Sequence, residues 1–340
     1  MHREQFFVGG EYVGPAEARV MHGQMYAEMM TPDKVTHPYP IVLIHGVAQT
    51  AANWLTTPDG RQGWAEWFVE HGWQVCIVDQ PARGRSAWQP GVDGPVSSVT
   101  VSTIETLFTA PEDTGAWPQA RLHTQWPGGP QKGHAGDPVF DQFYASQVPS
   151  LANPESESLM QAAGAALLDR IGPAVLLTHS QGGLFGWLIA DVRPNLVKGI
   201  VAVEPAGPPY KDAVFQTGVD RTWGLTSRPL VYDPPGAPLE FEQEAEADMG
   251  DLMPCWVQKS PPRRLTNLVG IPILVATSEA SYHAMYDHCT ARYLQQAGVD
   301  ASFVRLADAG IRGNGHLMML EKNNLEIAAF LDAWMIAHVR

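Results

Sequence analysis

The stretch Ala174-Val-Leu-Leu-Thr-His-Ser-Gln-Gly-Gly183 decides the fold of this chain. Its apolar start predicts a buried strand, and Gly183-Leu-Phe-Gly-Trp-Leu-Ile-Ala190 predicts a helix that follows directly. A sharp turn between a strand and a helix leaves little room for side chains, so small residues flank the serine at its tip. Thr178 stands where the Gly-x-Ser-x-Gly pattern has its first glycine, and Gly182 fills the last position. The pattern therefore predicts that Ser180 presents a nucleophilic hydroxyl above the edge of a sheet.

Strands and helices alternate along most of the remaining sequence. Apolar runs and alternating patterns predict strands over residues 5–15, 18–29, 40–46, 73–79, 197–204, 271–277 and 301–306. Helical spacing predicts helices over residues 63–72, about 155–170, about 283–297 and 321–338. Gly9-Gly10 is expected to form a turn between the first two strands. The alternation predicts a single α/β domain over residues 1–340, with a doubly wound, mostly parallel sheet whose active site lies at the carboxyl ends of the strands.

Two segments do not follow that alternation. Residues 87–154 are rich in Pro and Gly, and residues 206–264 carry three Pro-Pro pairs and the acidic run Glu240–Asp248. Both follow strands at the predicted catalytic edge, where long segments of a compact domain often cover a binding site. The first segment also carries the aromatic residues Trp117, Trp126, Phe140, Phe143 and Tyr144. We therefore predict a lid or cap over residues 87–154 and a second loop insertion over residues 206–264.

Composition limits the partners of the chain. The formal net charge is −14 and no run of Lys or Arg stands out, so we expect neither nucleic acid nor an anionic membrane surface as a partner. No apolar stretch is long enough to span a bilayer, which predicts a soluble chain. Residues 1–8 lack the apolar core of a signal peptide, so we expect a cytoplasmic protein if the chain is complete and an exported one if a signal peptide has been removed. The sequence leaves open whether the chain forms a homodimer.

The cysteines give no metal-binding pattern. The chain has three, Cys76, Cys255 and Cys289, and none of them belongs to a Cys-x-x-Cys motif. Cys76 lies within an apolar run and is expected to be a buried strand residue. Cys255 and Cys289 are left either free or bonded to each other.

A serine hydroxyl needs a neighbouring imidazole as base, and His316 stands where that base is expected. When the nucleophile lies on a turn of this kind, the acid and then the histidine follow along the chain, with the histidine after the last strand. The last predicted strand ends near Leu306, and the glycine-rich loop Ala307–His316 follows it. His179 is expected to point away from the tip of the turn, and His283 and His288 are expected to have no part in the chemistry.

Two glutamates compete for the role of the acid that orients the imidazole. Glu204 ends the strand after the predicted nucleophile helix, and Glu279 ends the next strand. In folds with a nucleophile on such a turn, the position of Glu279 is the more usual one for the acid. Both would lie near the carboxyl edge of the sheet, so topology leaves the choice open. Pro205 restricts the chain directly after Glu204 and favours a defined position for its carboxylate.

An acyl-transfer site also needs two donors for the oxyanion. One is expected from the backbone N–H of Gln181, which directly follows the serine. The predicted strand over residues 40–46 ends in His45-Gly46, where the chain turns toward the nucleophile. The N–H of Val47 is therefore the expected second donor.

With these parts assembled, the chain resembles the α/β-hydrolases, and among them an atypical group of bacterial esterases whose triad acid is a Glu after the sixth strand of the fold. The resemblance runs from Phe6-Phe-Val-Gly-Gly10 to the final helix. The matching blocks are Leu43-Ile-His-Gly46, Thr56-Thr-Pro-Asp-Gly-Arg61, Asp79-Gln80, Arg83-Gly-Arg-Ser86, His179-Ser-Gln181, Val203-Glu-Pro205, Gly313-Asn-Gly-His316 and Asn323-Asn-Leu325. The resemblance implies the α/β-hydrolase fold with Ser180 as nucleophile, His316 as base and Glu204 as acid. Departures lie in Val47–Thr50 and in the two insertions, and these loops build pocket walls, so the substrate stays open.

These parts together predict a serine carboxylic-ester hydrolase that forms an acyl-enzyme without a metal ion or an organic cofactor. Its partner would be a small-molecule ester. A lactonase or an amidase would use the same three residues. The alternative from another class of function is a catalytically silent member of the fold that only binds a ligand, and the presence of all three side-chain types speaks against it.

Overall fold

A computed structural model describes residues 1–215, 218–236, 238–244 and 250–340. Its strands are β1 (His2–Val13), β2 (Val20–Thr31), β3 (Ile41–Ile44), β4 (Val75–Asp79), β5 (Ala174–His179), β6 (Val197–Val203), β7 (Phe241–Gln243), β8 (Trp256–Gln258), β9 (Ile273–Thr277) and β10 (Ala301–Arg305). An 8-stranded sheet has the order β1-β2-β4-β3-β5-β6-β9-β10. Strands β4, β3, β5, β6, β9 and β10 pair in parallel, while β1 and β2 are antiparallel. The predicted mostly parallel, doubly wound sheet is confirmed.

The helices lie between the strands, as the alternating pattern predicts. They are α1 (Ala52–Leu55), α2 (Trp64–Glu70), α3 (Val101–Ile104), α4 (Pro111–Thr114), α5 (Pro138–Ala145), α6 (Asn153–Ile171), α7 (Gly182–Val192), α8 (Asp287–Gln296) and α9 (Asn324–His338). Short 3-10 turns occur at Ala16–Ala18, Ala120–Leu122, Tyr282–Met285 and Leu306–Ala309, and a π-helical turn spans Glu105–Thr109. None of the helices in the described ranges is long and apolar enough to cross a membrane.

The sheet is buried on both faces, which explains why its central strands are continuously apolar rather than alternating. Side chains of β3, β4, β5 and β6 pack on one face against α2 and α9. The alternate side chains of the same strands pack on the other face against α6, α7 and α8. The carboxyl ends of the parallel strands therefore meet at one edge, and the loops that follow them come together there.

The two N-terminal strands turn later than predicted. β1 runs through Gly9 and Gly10 without a break, and Gly9 pairs with Gln24 on β2. Gly10 and Gly23 leave the regular pairing, and their φ angles are +78° and +75°, a conformation that glycine adopts readily. The turn predicted at Gly9-Gly10 is wrong, because these glycines distort a continuous strand pair and the chain reverses only between β1 and β2, at residues 14–19.

The first insertion, residues 87–154, is not a loose loop. It contains α3, the π-helical turn, α4 and α5, and most of its aromatic side chains are buried, although Trp88 is exposed and Tyr144 is half-buried. Trp117, Trp126, Phe140 and Phe143 belong to the same core as α2 and α9. Burial of these large side chains stabilises the segment against the sheet, since each contributes apolar area on the order of 150–250 Å².

The second insertion, residues 206–264, is described only in part. Residues 216, 217, 237 and 245–249 lie outside the described residues, and they include residues 245–248 at the end of the acidic run Glu240–Asp248. In the described part, β7 and β8 form an antiparallel pair. A disulfide joins Cys255, beside β8, to Cys289 on α8, while Cys76 is a free thiol buried in β4 as expected.

Candidate active site

Ser180 lies at the carboxyl edge of the sheet, on the turn between β5 and α7. Its φ angle is +55°, in the left-handed region that a non-glycine residue adopts only where the surroundings enforce it. Its backbone N–H donates to the Val203 carbonyl at 3.1 Å, and its own carbonyl accepts from Ala206 at 2.9 Å. The neighbouring strand thus holds the turn on both sides, and the side chain remains 8% exposed.

Close packing explains which small residues surround the serine. A Cβ on Gly182 would lie 2.5 Å from the Ile44 carbonyl oxygen, so no side chain fits there. Thr178 is accommodated two residues before the serine because Gly186 on α7 leaves space for its methyl group. The departure from the usual glycine at position 178 is thus matched by a glycine one turn into the helix.

His316 lies in the loop between the last 3-10 turn and α9, and its side chain is buried. Its Nδ1 lies 2.6 Å from Oε2 of Glu204. Because Glu204 is an acceptor, Nδ1 carries the hydrogen and Nε2 is left as the basic nitrogen. The Tyr282 hydroxyl lies 3.4 Å from that Nε2. The arrangement presents an oriented imidazole to the space that Ser180 also borders.

Glu204 follows β6 directly and is fully buried. Its Oε1 accepts from the backbone N–H of Ser278 at 2.8 Å and from the Ser278 hydroxyl at 2.6 Å. Its Oε2 accepts from the Ser281 hydroxyl at 2.8 Å, in addition to His316. These donors compensate for the loss of water around the carboxylate and fix its orientation.

Glu279, the alternative acid, makes different contacts. Its Oε1 lies 2.5 Å from Nη1 of Arg312, and its Oε2 accepts from the backbone N–H of Gly313 at 2.8 Å. It therefore ties down the loop that leads to His316 without contacting the imidazole in the described contacts. The structure brings Glu204 to His316 and leaves Glu279 on the loop.

Electrostatics favour an ionised acid and a neutral base. Burial would raise the pKa of Glu204, but the hydrogen bond from His316 and the nearby His283 outweigh burial and lower it. Burial lowers the pKa of His316 to about 4, although Glu204 acts in the opposite direction. At neutral pH the carboxylate is therefore charged and the imidazole is free to accept a proton.

The two predicted oxyanion donors are close to Ser180, since Val47 borders the same cavity and Gln181 is the next residue in the chain. Val47 follows the end of β3, and Gln181 begins the turn into α7. In the described part of the chain, the backbone N–H groups of Val47 and Gln181 donate no hydrogen bond. Both are therefore available to an oxygen in the cavity next to the serine.

A small cavity of about 10 Å³ is bordered by Val47, Ser180 and His316. Its lining comprises Gly46, Val47, Ala48, Gln49, Val99, Ile104, Phe108, Gln147, His179, Ser180, His316 and Leu317. Four of these, Val99, Ile104, Phe108 and Gln147, come from the first insertion. A larger cavity of about 640 Å³ lies at the amino ends of β6 and β9, at the opposite edge of the sheet from the candidate residues. The small cavity is the candidate active site because the hydroxyl of Ser180 and the imidazole of His316 both border it.

Three side chains at the site were not expected from the sequence. His179 was predicted to point away, yet its Nε2 donates to the His316 carbonyl at 2.9 Å and it borders the cavity. The His283 ring stacks on the His316 ring with centroids 4.7 Å apart, and its Nδ1 lies 2.8 Å from Asp287. Tyr282 reaches Nε2 of His316. Tertiary packing brings these residues together, and only the position of His179 beside Ser180 gave a local signal.

A buried charged cluster, the His123 clamp, ties the first insertion to the loop of the candidate base. Nδ1 of His123 lies 2.6 Å from Glu112, and Nε2 lies 2.8 Å from Glu321. Burial alone would lower the pKa of His123, but the two carboxylates outweigh it and raise the pKa to about 9. Glu321 also accepts from the Gly315 N–H at 3.0 Å. A charged imidazolium thus joins Glu112 of the insertion to Glu321, which accepts from the backbone next to His316.

Two groups of side chains have the chemistry of metal ligands. Glu204, His283 and His316 form one, and Cys255, His288 and Cys289 form the other. In the first, Glu204 and His316 already bond to each other, and in the second a disulfide joins the two sulfurs. Neither set offers three uncommitted ligands as the structure stands.

Comparison with known proteins gives a relative of high sequence identity and solved structures with a similar fold. The relative, the probable secreted lipase phiG of Fungal sp. (strain ATCC 74256), is 51% identical over 334 residues, which cover 97% of this chain and 88% of the relative. A structure described as a novel bacterial esterase aligns with a TM-score of 0.66 and 23% identity, over 100% of this chain and 96% of the other. At that identity the match shows the fold. No protein-family model matches the chain.

Proposed function

The chain belongs to the α/β-hydrolase family and is an ester-bond hydrolase, and on that premise we propose a serine carboxylic-ester hydrolase that works through an acyl-enzyme. Ser180 is the nucleophile, His316 the base and Glu204 the acid that orients the base. The observation that carries the proposal is the 2.6 Å contact between Glu204 and Nδ1 of His316, because His316 and Ser180 line the same cavity.

Acylation follows from this arrangement. The Ser180 hydroxyl attacks the ester carbonyl while Nε2 of His316 takes its proton. Glu204 stabilises the imidazolium that forms, and its own serine donors hold it in place. The carbonyl oxygen becomes an oxyanion and accepts from the N–H groups of Val47 and Gln181. Collapse of the tetrahedral intermediate breaks the bond to the alcohol, which leaves with the proton from His316.

Deacylation uses the same groups in reverse. Water enters in place of the alcohol, and Nε2 of His316 removes its proton as it attacks the acyl carbonyl. A second oxyanion occupies the same two backbone donors. The carboxylic acid then leaves, and the proton returns to Ser180.

The acyl group is apolar and uncharged. The cavity wall includes Val99, Ile104, Phe108 and Leu317, and no Lys, Arg, Asp or Glu is among its described lining residues. A cavity of about 10 Å³ is too small for an ester, so the cover must move for the substrate to enter. The first insertion is that cover, because α3 and the π-helical turn supply Ile104 and Phe108.

Export of the protein is a further part of the proposal. The disulfide between Cys255 and Cys289 is typical of an oxidising compartment. The relative at 51% identity is described as secreted. Both observations favour the exported alternative over the cytoplasmic one.

The test is a panel of p-nitrophenyl esters of increasing acyl length, with matching lactones and anilides. We expect saturable ester turnover, a burst of one nitrophenolate per chain where deacylation limits the rate, and organophosphate labelling at Ser180 by mass spectrometry. Faster turnover of the lactones or the anilides would favour the lactonase or the amidase alternative. Absence of any Ser180 adduct would contradict the acyl-enzyme.

The pH profile gives a second prediction. Only neutral His316 accepts the serine proton, so activity is lost as the pH falls through its pKa. Because burial lowers that pKa to about 4, the acid limb of kcat/KM should lie well below the ordinary histidine value of about 6.5. The measurement is kcat/KM for a neutral ester from about pH 3.5 to pH 8, with circular dichroism to confirm folding. An acid limb between about pH 6 and pH 7 would show that His316 titrates normally.

A further inference from the structure

Arg83 is a buried cation with no acidic partner among the residues that the structure describes. It lies in the loop after β4 and is only 3% exposed. No carboxylate of the described residues lies within ion-pairing distance of its guanidinium. Burial of an unpaired charge lowers the stability of a fold. The position of the Arg83 guanidinium is therefore better explained by a function than by a contribution to stability.

The guanidinium contacts both halves of the proposed oxyanion hole from behind. Nη1 donates to the Gly46 carbonyl at 3.0 Å, and Nη2 donates to the side-chain Oε1 of Gln181 at 2.8 Å. The Gly46 carbonyl and the Val47 N–H belong to the same peptide unit. Gln181 supplies the other donor through its backbone. One side chain therefore links the two donors.

We propose that Arg83 positions and polarises the oxyanion hole of the proposed esterase. A donor on the Gly46 carbonyl polarises that peptide and makes the Val47 N–H a stronger donor. The positive charge also lies close to the site where negative charge develops in the transition state. The inference rests on the proposed function, since it assigns a purpose to a residue behind the proposed oxyanion site.

The surrounding structure keeps the guanidinium in this place. The Asp79 carboxylate accepts from the backbone N–H of Arg85 and of Ala51, each at 2.8 Å, so it holds the loop of Arg83 to the segment after β3. His45 also contacts the Gly46 carbonyl at 2.9 Å, which leaves that peptide little freedom to rotate. Burial lowers the pKa of Arg83 to about 9, so the side chain remains charged at neutral pH.

Arg83 is a positioning residue rather than a catalytic one. It is not among the described residues that line the cavity, so it acts on the reaction through Gly46 and Gln181. Its removal should therefore weaken transition-state stabilisation and leave substrate binding unchanged.

The test compares Arg83→Met, which removes the charge, with Arg83→Lys, which keeps the charge but loses the two-pronged contact. We expect Arg83→Met to lower kcat by on the order of 10–100-fold with KM unchanged, less than the 10²–10³-fold cost of deleting an oxyanion donor itself. Arg83→Lys should recover part of the loss. If Arg83→Met fails to fold, the same comparison is made with Arg83→Lys alone.

A matched pair of ligands separates positioning from general damage. A trifluoromethyl ketone forms an anionic tetrahedral adduct with the serine, while the methyl ketone with the same chain binds as a neutral ground-state analogue. Affinity for the first should fall in parallel with kcat, and affinity for the second should stay the same. Equal losses for both ligands, or a kcat within twofold of the wild type in folded Arg83→Met, would overturn the inference.

Arg221→Met is the control variant. Arg221 is also buried and also donates to a backbone carbonyl, that of Pro208 at 2.9 Å, but it pairs with Asp220 and does not line the cavity. We expect a lower melting temperature and an unchanged kcat. A kcat loss equal to that of Arg83→Met would overturn the inference, because any buried arginine would then have the same effect. Organophosphate labelling of the wild type at Ser180 is scored separately, since its absence would reject the proposed function itself.

Discussion

Ser180→Ala and His316→Ala should each lower kcat for ester hydrolysis by on the order of 10⁴–10⁶-fold while the fold stays intact. In the proposed mechanism the hydroxyl and the imidazole perform one step together, so loss of either should stop formation of the acyl-enzyme. Alanine retains the Cβ of serine and keeps the turn at a φ of +55° no more strained than before. The measurement is kcat with a p-nitrophenyl ester, alongside circular dichroism and melting temperature.

The double variant gives the sharper result. Because both residues serve one step in the proposed mechanism, Ser180→Ala with His316→Ala should lose little more activity than either single variant. Ser302→Ala, at an exposed position on β10, is the control and should retain full activity. Losses that multiply in the double variant would mean that the two residues act independently, and near-normal turnover in folded Ser180→Ala would reject the serine as nucleophile.

Glu204→Gln should lower kcat by on the order of 10²–10⁴-fold, while Glu279→Gln should have only a small effect. Glutamine keeps the size of the side chain but removes the charge that stabilises the imidazolium. The serine–histidine pair remains, so the loss is smaller than for Ser180→Ala. Glu279 holds Arg312 and the Gly313 N–H, and its neutral form keeps an acceptor for the latter.

These two glutamate variants form a matched test at neighbouring strand ends. Kinetics with one ester and melting temperatures for both variants separate a catalytic loss from a loss of stability. A large kcat loss in Glu279→Gln together with normal activity in Glu204→Gln would mean that the wrong acid has been assigned. The acid limb of the pH profile should also move to lower pH in Glu204→Gln, because the Glu204 carboxylate raises the pKa of His316.

The sequence predicts the architecture well because its signals are local. Continuous apolar runs predict β3, β5 and β6, and these strands are buried on both faces as such runs require. The turn at Ser180 is marked by small residues on both sides. The turn predicted at Gly9-Gly10 is wrong because the signal there is not local. Glycine permits both a hairpin turn and a distortion of a paired strand, and only the pairing of β1 with β2 decides between them.

The choice of acid could not be derived from the residues alone. Glu204 and Glu279 follow β6 and β9, which are adjacent strands that end at the same edge. The direction of each side chain depends on its partners, Ser278 and Ser281 for the first and Arg312 for the second. The catalytic roles of all these residues stay predictions until the variants are measured.

The histidines around the base illustrate a second limit. His283 and His316 are distant in sequence. Their rings stack because the turn Tyr282–Met285, before α8, packs against the loop that carries His316. No spacing or motif connects them. Arg83 lay within a block that resembled the family, but its sequence context said nothing of its contact with Gln181.

The His123 clamp bears on how such proteins can exchange parts in evolution. Glu112 and His123 belong to the first insertion, while Glu321 precedes α9, so the cluster spans two distant parts of the gene product. If recombination transferred the insertion alone to a chain without Glu321, His123 would be buried with Glu112 as its one carboxylate partner. The chain that lost the insertion would keep Glu321 without the imidazolium of His123. We therefore expect positions 112, 123 and 321 to covary among relatives that keep the first insertion, which an alignment of such relatives would check.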